Sequence, residues 1–308
     1  MVLKSPRKGS LQYWPRKRAR KFLPSPNWKA IKSNSKLKGF ICYKAGMASA
    51  FVKDDTPDSM TKGKKIIIPV TILECPSMKI FSVRFYKNGK VAREVLSENL
   101  DKELKRVVKI PKQGKKEELG GEYDDVQVLC YSTVRKTGMK KTPDLSEIAL
   151  GQDYNNKIDF IKENLGKEIP VSDIFAKGGM VDLRGLTRGK GLQGPVRRFG
   201  ITLKQHKSEK GVRKATLGSF HPGRTTFNAP MAGQLGMFTR VSYNHKIIDL
   251  GKAENKFTNL KNFGNIRTDY VLVYGSIPGV PKRQMLATSS LRETKKQRKK
   301  NYEVIELR

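Results

Sequence analysis

Apolar residues in the first third of the chain follow the two-residue period of β-strands. Residues 39–51 open with a dense apolar run, and residues 66–73 form a β-branched run. Residues 78–86 alternate a mixed face with an apolar face and end at Asn88-Gly89, a pair typical of a tight hairpin turn. The pattern therefore predicts three strands, the third of which begins a hairpin.

The middle of the chain mixes helical and strand patterns. Residues 97–106, with Ser97 as N-cap, and residues 158–166 predict two helices. Short strands are predicted at 106–110 and 126–134. Most acidic residues of the chain lie in this region, which predicts a small, solvent-facing α+β insertion.

The periodicity is lost from residue 178 onward, where glycine or proline recurs every few residues. Between Arg184 and Arg224 there are eleven basic residues and a single acid, Glu209. Pure disorder is typical of sequences with few bulky apolar residues, yet Phe199 and other such residues are present. The segment therefore predicts an ordered loop that takes its structure from RNA.

Strand patterns return in the last quarter of the chain. They cover residues 239–244, 245–251 and 269–279, and the last of these is expected to close the globular part. The mixed-charge residues 291–308 are expected to form a partly exposed tail.

The N-terminal segment has an unusual composition. The first 53 residues contain no acidic side chain, and residues 1–38 hold twelve Lys and Arg together with both tryptophans, Trp14 and Trp28. Cations neutralise phosphates, and flat rings stack on bases. The segment is therefore predicted to be an arm that lies against RNA instead of joining a folded core.

The charge of the whole chain supports this prediction. Lys and Arg number 63 against 28 Asp and Glu, which leaves a formal charge of +35. A compact protein with such a charge repels itself, so a polyanionic partner is expected. No stretch approaches the roughly 18 consecutive apolar residues of a spanning helix, and no secretory signal is expected, so nucleic acid is favoured over a membrane.

The sequence predicts no active site. The GKGLQG segment (residues 189–194) fits the spacing of a dinucleotide fingerprint, but Pro195 follows it and no acid lies about twenty residues on. Its glycines instead favour close approach of backbone amides to phosphates. The histidines, His206, His221 and His245, share no metal-ligand or nucleophile spacing.

The cysteines indicate a reducing compartment. Cys42, Cys75 and Cys130 lie far apart in apolar runs without CxxC spacing. This pattern favours buried, reduced thiols and a cytoplasmic location.

Two other kinds of protein share a strongly basic composition. An RNA-modifying enzyme would need a cofactor loop or a catalytic constellation. A free nucleic-acid chaperone would depend on the charge of the Gly-rich segment and not on its glycines, so replacing Gly191 and Gly194 by Ala would distinguish it.

Six stretches, in order along nearly the whole chain, resemble a known family. They are PRKGSLQYWPRKRARK, GFICYKAGMASAFVKDD, KKIIIPVTILECPSMKIFSVRFY, VDLRGLTRGKGLQGPVRRFG, GSFHPGRTTFNAPMAGQLGMFTR and GSIPGVPKR. The family is the third large-subunit ribosomal protein of the universal set, in its archaeal and eukaryotic branch.

The resemblance implies a mainly β fold with an α+β insertion: a translation-factor-like β-barrel that carries a long irregular N-terminal arm and central loop. The implied divisions are a basic extension (1–38), a barrel (39–75 with 173–183 and 238–290), an insertion (76–172), a central loop (184–237) and a tail (291–308).

The resemblance also implies a structural constituent of the large ribosomal subunit that binds its rRNA and neighbouring ribosomal proteins, and acts early in assembly. The central loop would reach toward the peptidyl-transferase centre, and its tip, commonly Trp-His-Pro, is Phe220-His221-Pro222 here. No cofactor or small-molecule substrate is expected, and structural Mg ions would be held by the rRNA. The predicted rRNA contacts are Arg7, Lys8, Tyr13, Trp14, Arg16, Lys17, Arg18, Arg20, Lys21, Trp28, Arg184, Arg188, Gly189, Lys190, Gly191, Gly194, Arg197, Arg198, His206, Arg213, Lys214, Phe220, His221 and Arg224.

Overall fold

The computed structural model describes residues 9–10, 12–33, 35–111, 123–151, 154–203, 207, 221, 223–254 and 256–308. The chain divides into two compact units. The first, here called the basic unit, combines residues 1–20 with 186–239, and the second, the sheet unit, combines residues 21–185 with 240–308.

Strands dominate the described residues. The strands are β1 (Gly39–Asp54), β2 (Lys65–Cys75), β3 (Met78–Lys87), β4 (Lys90–Leu96), β5 (Asp125–Ser132), β6 (Leu145–Ala149), β7 (Met180–Leu186), β8 (Gly191–Gln193), β9 (Gly233–Leu235), β10 (Thr239–Lys252), β11 (Asp269–Tyr274), β12 (Gln284–Ser289) and β13 (Tyr302–Leu307). The α-helices are α1 (Tyr154–Asn164), α2 (Pro195–Phe199) and α3 (Lys295–Lys299), and short 3-10 helices cover Trp28–Ala30, Lys102–Arg106, Val134–Thr137 and Val171–Asp173.

The larger sheet of the sheet unit has the strand order β12-β7-β10-β11-β2-β1-β13. Strand β12 also pairs with β1, so six of these strands form a closed cycle of pairings and β13 adds to β1. The dense apolar runs of β1 and β2 supply Phe40, Cys42, Leu73 and Cys75 to the core. Strands β12 and β1 would otherwise be the edge strands of this set, and they are paired with each other.

The insertion forms a second sheet with the order β4-β3-β5-β6. Strand β3 turns into β4 through Asn88 and Gly89, both of which have positive φ angles (52° and 73°). Its predicted alternation holds from Val83 to Tyr86, but a register shift between Ile80 and Ser82 interrupts it, so Phe81 joins a different cluster from Val83 and Phe85. Helix α1 covers the predicted region, and Gly166 follows it with φ 78°. The mainly β class predicted from the sequence is confirmed. Among the described residues, no helix has the length and apolarity that a membrane span requires.

Two predicted elements of the insertion are wrong. The helix expected at 97–106 is reduced to the 3-10 helix Lys102–Arg106, and residues 106–110 form no strand. The physical reason is packing: Leu104 is the single buried residue of the 3-10 helix, so little apolar burial would stabilise a longer helix here. The segment instead lies over Phe81 and Tyr131 as irregular chain, with Val108 packed against them.

The prediction that residues 269–279 close the globular part is also wrong, although residues 291–308 are partly exposed as predicted. Strand β12 follows, and within the tail β13 pairs antiparallel with β1. Lys246, which is 6% exposed, donates hydrogen bonds to the backbone oxygens of Arg298 (2.9 Å) and Lys300 near the end of α3. The sequence did not indicate this strand because it is strongly charged and its side chains occupy only half-buried and exposed positions.

The N-terminal segment also differs from its expected form. Leu23, Trp28, Ile31 and Leu37 belong to the main hydrophobic core of the sheet unit. Trp28 is 8% exposed, and its ring packs beside Gly39, where an added Cβ would lie 2.8 Å from the ring. Large apolar side chains spaced irregularly can therefore be buried without any strand or helix period, because the partner surface belongs to a distant part of the chain.

The environment of Asp54 leads us to expect that the free energy of unfolding falls at low pH. It is 3% exposed and accepts hydrogen bonds from the Thr56 amide (2.9 Å) and the hydroxyls of Ser59 and Thr61. Burial raises the pKa of its carboxyl, but these donors outweigh burial and lower the pKa to about 2, from a usual 3.8. Because the folded pKa is the lower one, this contribution is present above pH 4 and is lost as the pH falls toward 2.

The expected result concerns the difference in unfolding free energy between the wild type and Asp54→Asn, measured by urea titration at several pH values. The wild type should be more stable at pH 6 by about 1–3 kcal/mol, since the amide leaves donors unsatisfied. The difference should shrink between pH 4 and pH 2.5. A difference that stays constant over this range would contradict the assignment.

Candidate nucleic-acid interface

The Gly-rich segment contributes regular structure to the basic unit. Strands β8 and β9 pair antiparallel, with Gly191 opposite Leu235 and Gln193 opposite Gly233. Helix α2 then begins at Pro195, a residue whose fixed φ suits the first helical position, and is followed by Gly200 with φ 65°. The GKGLQG segment thus leads into a helix of five residues, too short for a dinucleotide site.

Arg198 links the two parts of the basic unit. Its guanidinium donates to the backbone oxygens of Gln234 (3.0 Å), Met231 (3.0 Å) and Arg16 (2.9 Å). In return, the Arg16 guanidinium donates to the backbone oxygen of Arg198 at 2.7 Å. Desolvation by burial lowers the pKa of Arg198. The N-terminal arm and the Gly-rich segment are therefore joined by reciprocal hydrogen bonds.

Aromatic rings pack around this junction. The Trp14 ring lies 6.1 Å from the Phe199 ring and 5.3 Å from the Phe227 ring, in an edge-on arrangement with the latter. The Arg16 guanidinium carbon lies 4.2 Å from the Phe199 centroid. Phe199 is buried, whereas Phe227 is 74% exposed. The cluster has an inner ring that anchors the arm and an outer ring that faces solvent.

Most predicted phosphate contacts of the basic unit point to the surface. The exposed predicted cations are Lys17, Arg18, Arg20, Arg188, Lys190, Arg197 and Arg224, and Tyr13, Gly189, Gly191, Gly194 and His221 are exposed as well. Arg16 and Arg198 are half-buried. The two Arg side chains that hold the scaffold are therefore distinct from those that face solvent.

Three predicted contacts lie in the sheet unit. Lys21 is exposed, but Arg184 lies within β7, half-buried, with its Nε 3.3 Å from the Thr288 hydroxyl. Trp28 lies in the core and offers little surface for stacking on a base. Predicted contacts outside the described residues are Arg7, Lys8, His206, Arg213, Lys214 and Phe220, and Pro222 of the loop tip lies outside them too.

The comparison with known families is decisive. Residues 1–119 and 110–308 match the family described as ribosomal protein L3. The chain belongs to the ribosomal protein L3 family.

Archaeal relatives agree with the family match over nearly the full length. The chain is 35% identical to the large ribosomal subunit protein uL3 of Methanocaldococcus jannaschii, over 93% of this chain and 91% of the relative. It is 38% identical to that of Archaeoglobus fulgidus, over 94% and 93% of the two chains. It is 36% identical to that of Methanothrix harundinacea, over 93% and 92%.

Membership in the ribosomal protein L3 family identifies the chain as a structural component of the ribosome, and not as an enzyme. His245 is buried, with its two ring nitrogens bonded to the Tyr274 backbone oxygen (2.8 Å) and the Ser242 hydroxyl (2.6 Å), and burial lowers its pKa. Within the described part of the chain, no three His, Cys, Asp or Glu side chains are grouped as metal ligands.

Two features of this L3 interface were not predicted from the sequence. Phe227 was not singled out, although an exposed aromatic residue in a basic, irregular segment is itself a signal for base stacking. The backbone hydrogen bonds of the Arg198 guanidinium were not predicted either, and its predicted phosphate contact stays a prediction. Nothing in the sequence distinguishes it from its neighbour Arg197, since both are arginines in the same run.

Proposed function

We propose that the basic unit binds large-subunit rRNA through phosphates and exposed bases. The observation that carries this proposal is the separation of roles among its cations. Arg16 and Arg198 bond to backbone oxygens inside the unit, and Arg188, Lys190 and Arg197 remain exposed on the scaffold they stabilise. Residues 1–20 and 186–239 hold seventeen Lys and Arg and one acid, Glu209.

Phosphate neutralisation explains how such a unit would act. Cations lying between RNA helices reduce the repulsion of their backbones, so the helices can pack closely. Phosphate contacts carry no base sequence information, so specificity comes from RNA shape and from stacking. Phe227 and Tyr13 offer exposed rings for stacking, whereas Trp14 supports Phe227 from within.

The resemblance supports a finer proposal. The loop between α2 and β9 extends toward the peptidyl-transferase centre, where it holds rRNA in place without reacting, and the protein joins the cytoplasmic subunit early in assembly. Neighbouring ribosomal proteins contact the sheet unit, and rRNA holds the structural Mg ions. Cryo-electron microscopy of large subunits that contain this chain tests this placement, and a loop tip remote from that centre would contradict it.

A charge variant tests rRNA binding. Replacing Arg188, Lys190 and Arg197 by Gln removes three exposed cations of the basic unit. A plot of log affinity against log salt has a negative slope, and each lost phosphate contact reduces its magnitude by about 0.7–0.9. The magnitude of the slope should therefore decrease by about two to three. The measurement is filter binding of the full chain to large-subunit rRNA at several KCl concentrations.

The matched control removes the same number of charges from the insertion. Lys105, Arg106 and Lys109 are exposed there, and their replacement by Gln should leave the slope nearly unchanged. Equal losses in the two variants would mean that only net charge matters. That outcome would support a general polyanion binder and exclude the proposed interface.

A further inference from the structure

A second aromatic and cationic site lies on the sheet unit, where two distant segments meet. The Arg283 guanidinium carbon lies 5.4 Å from the centroid of the Phe22 ring. Phe22 is 50% exposed, so one guanidinium does not cover its surface. Its sequence neighbour Lys21 is exposed, and so is Lys282 beside Arg283. The contact therefore joins a half-exposed ring to one guanidinium, and an exposed lysine is the chain neighbour of each partner.

The backbone on the Arg283 side is held firmly. The buried Lys44 donates through its ammonium to the backbone oxygens of Ile277 (2.8 Å) and Gly279 (3.3 Å). Its own amide donates to the Arg283 oxygen (3.0 Å), and its oxygen accepts from the Lys282 amide (2.8 Å). The loop between β11 and β12 is thus held to β1 by both the side chain and the backbone of Lys44.

Lys282 adopts an unusual conformation within this loop. Its φ angle is 68°, in the left-handed region that favours glycine. A lysine held there is strained, and such strain persists where the surrounding structure imposes it, often at binding sites. Lys282 is exposed and directly precedes Arg283 in the chain.

The two chain segments that carry the pair contain no acidic residue. Residues 1–53 hold no Asp or Glu, and neither do residues 270–292. A ring with one covered face is an ordinary surface for base stacking, and a guanidinium plane extends that surface. Cations directly beside the ring suit the phosphates that flank a stacked base.

We propose that Phe22 and Arg283 form a stacking platform for an unpaired RNA base, with Lys21 and Lys282 neutralising the adjacent phosphates. This inference rests on the proposed function of the chain in binding rRNA, but it places a contact in the other unit. It adds Phe22, Lys282 and Arg283 to the residues expected from the sequence. The platform recognises the face of a base and is indifferent to its identity.

The test uses the full chain carrying the Gln replacements of Arg188, Lys190 and Arg197, so that binding by the basic unit is reduced. The probe is a single-stranded RNA dodecamer with 2-aminopurine, whose fluorescence is quenched by stacking. Phe22→Leu should weaken binding about fivefold or more and remove the quenching that depends on the protein. Phe22→Tyr should retain both, and Arg283→Lys should lose quenching at an unchanged salt slope.

A matched control exists on the same unit. Phe51 also carries a guanidinium, with the Arg308 carbon 4.9 Å from its centroid, but Arg308 is paired with Glu306 at 3.5 Å. Phe51→Leu should leave RNA binding and quenching unchanged. Thermal unfolding of each variant checks that the half-exposed Phe22 is dispensable for folding.

The outcomes separate this proposal from the function on which it rests. Unchanged quenching in Phe22→Leu, or equal losses in Phe22→Leu and Phe51→Leu, would overturn the platform. Displacement of the probe by polyaspartate at equal concentration would assign the surface to an acidic protein instead and overturn it as well. If the Gln replacements leave rRNA binding intact while Phe22→Leu weakens it, the platform stands and the proposed interface of the basic unit fails.

Discussion

Gly236→Ala is expected to disrupt the pairing of β8 with β9 while the sheet unit stays folded. Gly236 has a φ angle of 80°, and an added Cβ would lie 2.0 Å from the Arg188 backbone oxygen. Left-handed strain and a backbone clash together should cost about 3–5 kcal/mol of local stability. The measurement is hydrogen exchange of the Lys190 amide, which donates to the Leu235 oxygen at 2.9 Å. Its protection should fall by more than about a hundredfold.

Alanine substitutions at Gly191 and Gly194 should destabilise the basic unit less than Gly236→Ala, and they serve as comparisons. Gly191 has φ 65° with open space around its Cβ position, so Ala there is strained without a clash and should cost about 1 kcal/mol. Gly194 has φ −69° and is also open, so Ala there should cost little. Equal protection of the Lys190 amide in Gly236→Ala and Gly194→Ala would show that the close approach to Arg188 is not formed.

Arg198→Lys is expected to detach the arm although the charge is unchanged. The guanidinium reaches three backbone oxygens in different segments, those of Arg16, Met231 and Gln234. An ammonium is a compact donor that cannot span them. The Arg16 and Gln234 oxygens are partly buried, and leaving each unsatisfied should cost up to about 1–3 kcal/mol. The measurement is trypsin cleavage after Lys17 and Arg18, which should become faster than in the wild type.

Arg197→Lys is the control for this substitution. Arg197 is exposed and bonds the Gln193 side chain at 3.2 Å, so its replacement should change arm cleavage little. Both variants keep the net charge, which means that a difference between them reports on protein packing. Equal cleavage rates in the two variants would contradict the role of Arg198 as a link.

The contrast between Arg197 and Arg198 also shows what a sequence pattern leaves open. Composition predicts that both side chains contact phosphate, because it registers only their charge. Whether a guanidinium faces solvent or backbone oxygens depends on where Arg16 and Gln234 lie, and these residues are distant in sequence. Phe22 and Arg283 are a second case, since neither segment indicates that it meets the other.

Local patterns predicted the local elements well. Strand β3 and the Asn88-Gly89 turn form where alternation and turn chemistry place them, because neighbouring residues supply those signals. The prediction was wrong where distant contacts override local signals. Residues 106–110 have β-branched character but lie without a strand partner over Phe81 and Tyr131, and β13 forms from a charged tail because β1 offers it an edge.

The mainly β class, the basic character of two segments and, through six ordered motifs, membership in the ribosomal protein L3 family all follow from the order of residues along the chain. These properties depend on residue types and short-range order, which the sequence carries directly. Three features became visible only in the folded chain: Trp28 belongs to the core, the arm joins the Gly-rich segment through Arg198, and a particular subset of the cations remains exposed. These depend on contacts between residues up to hundreds of positions apart, and packing in three dimensions selects them.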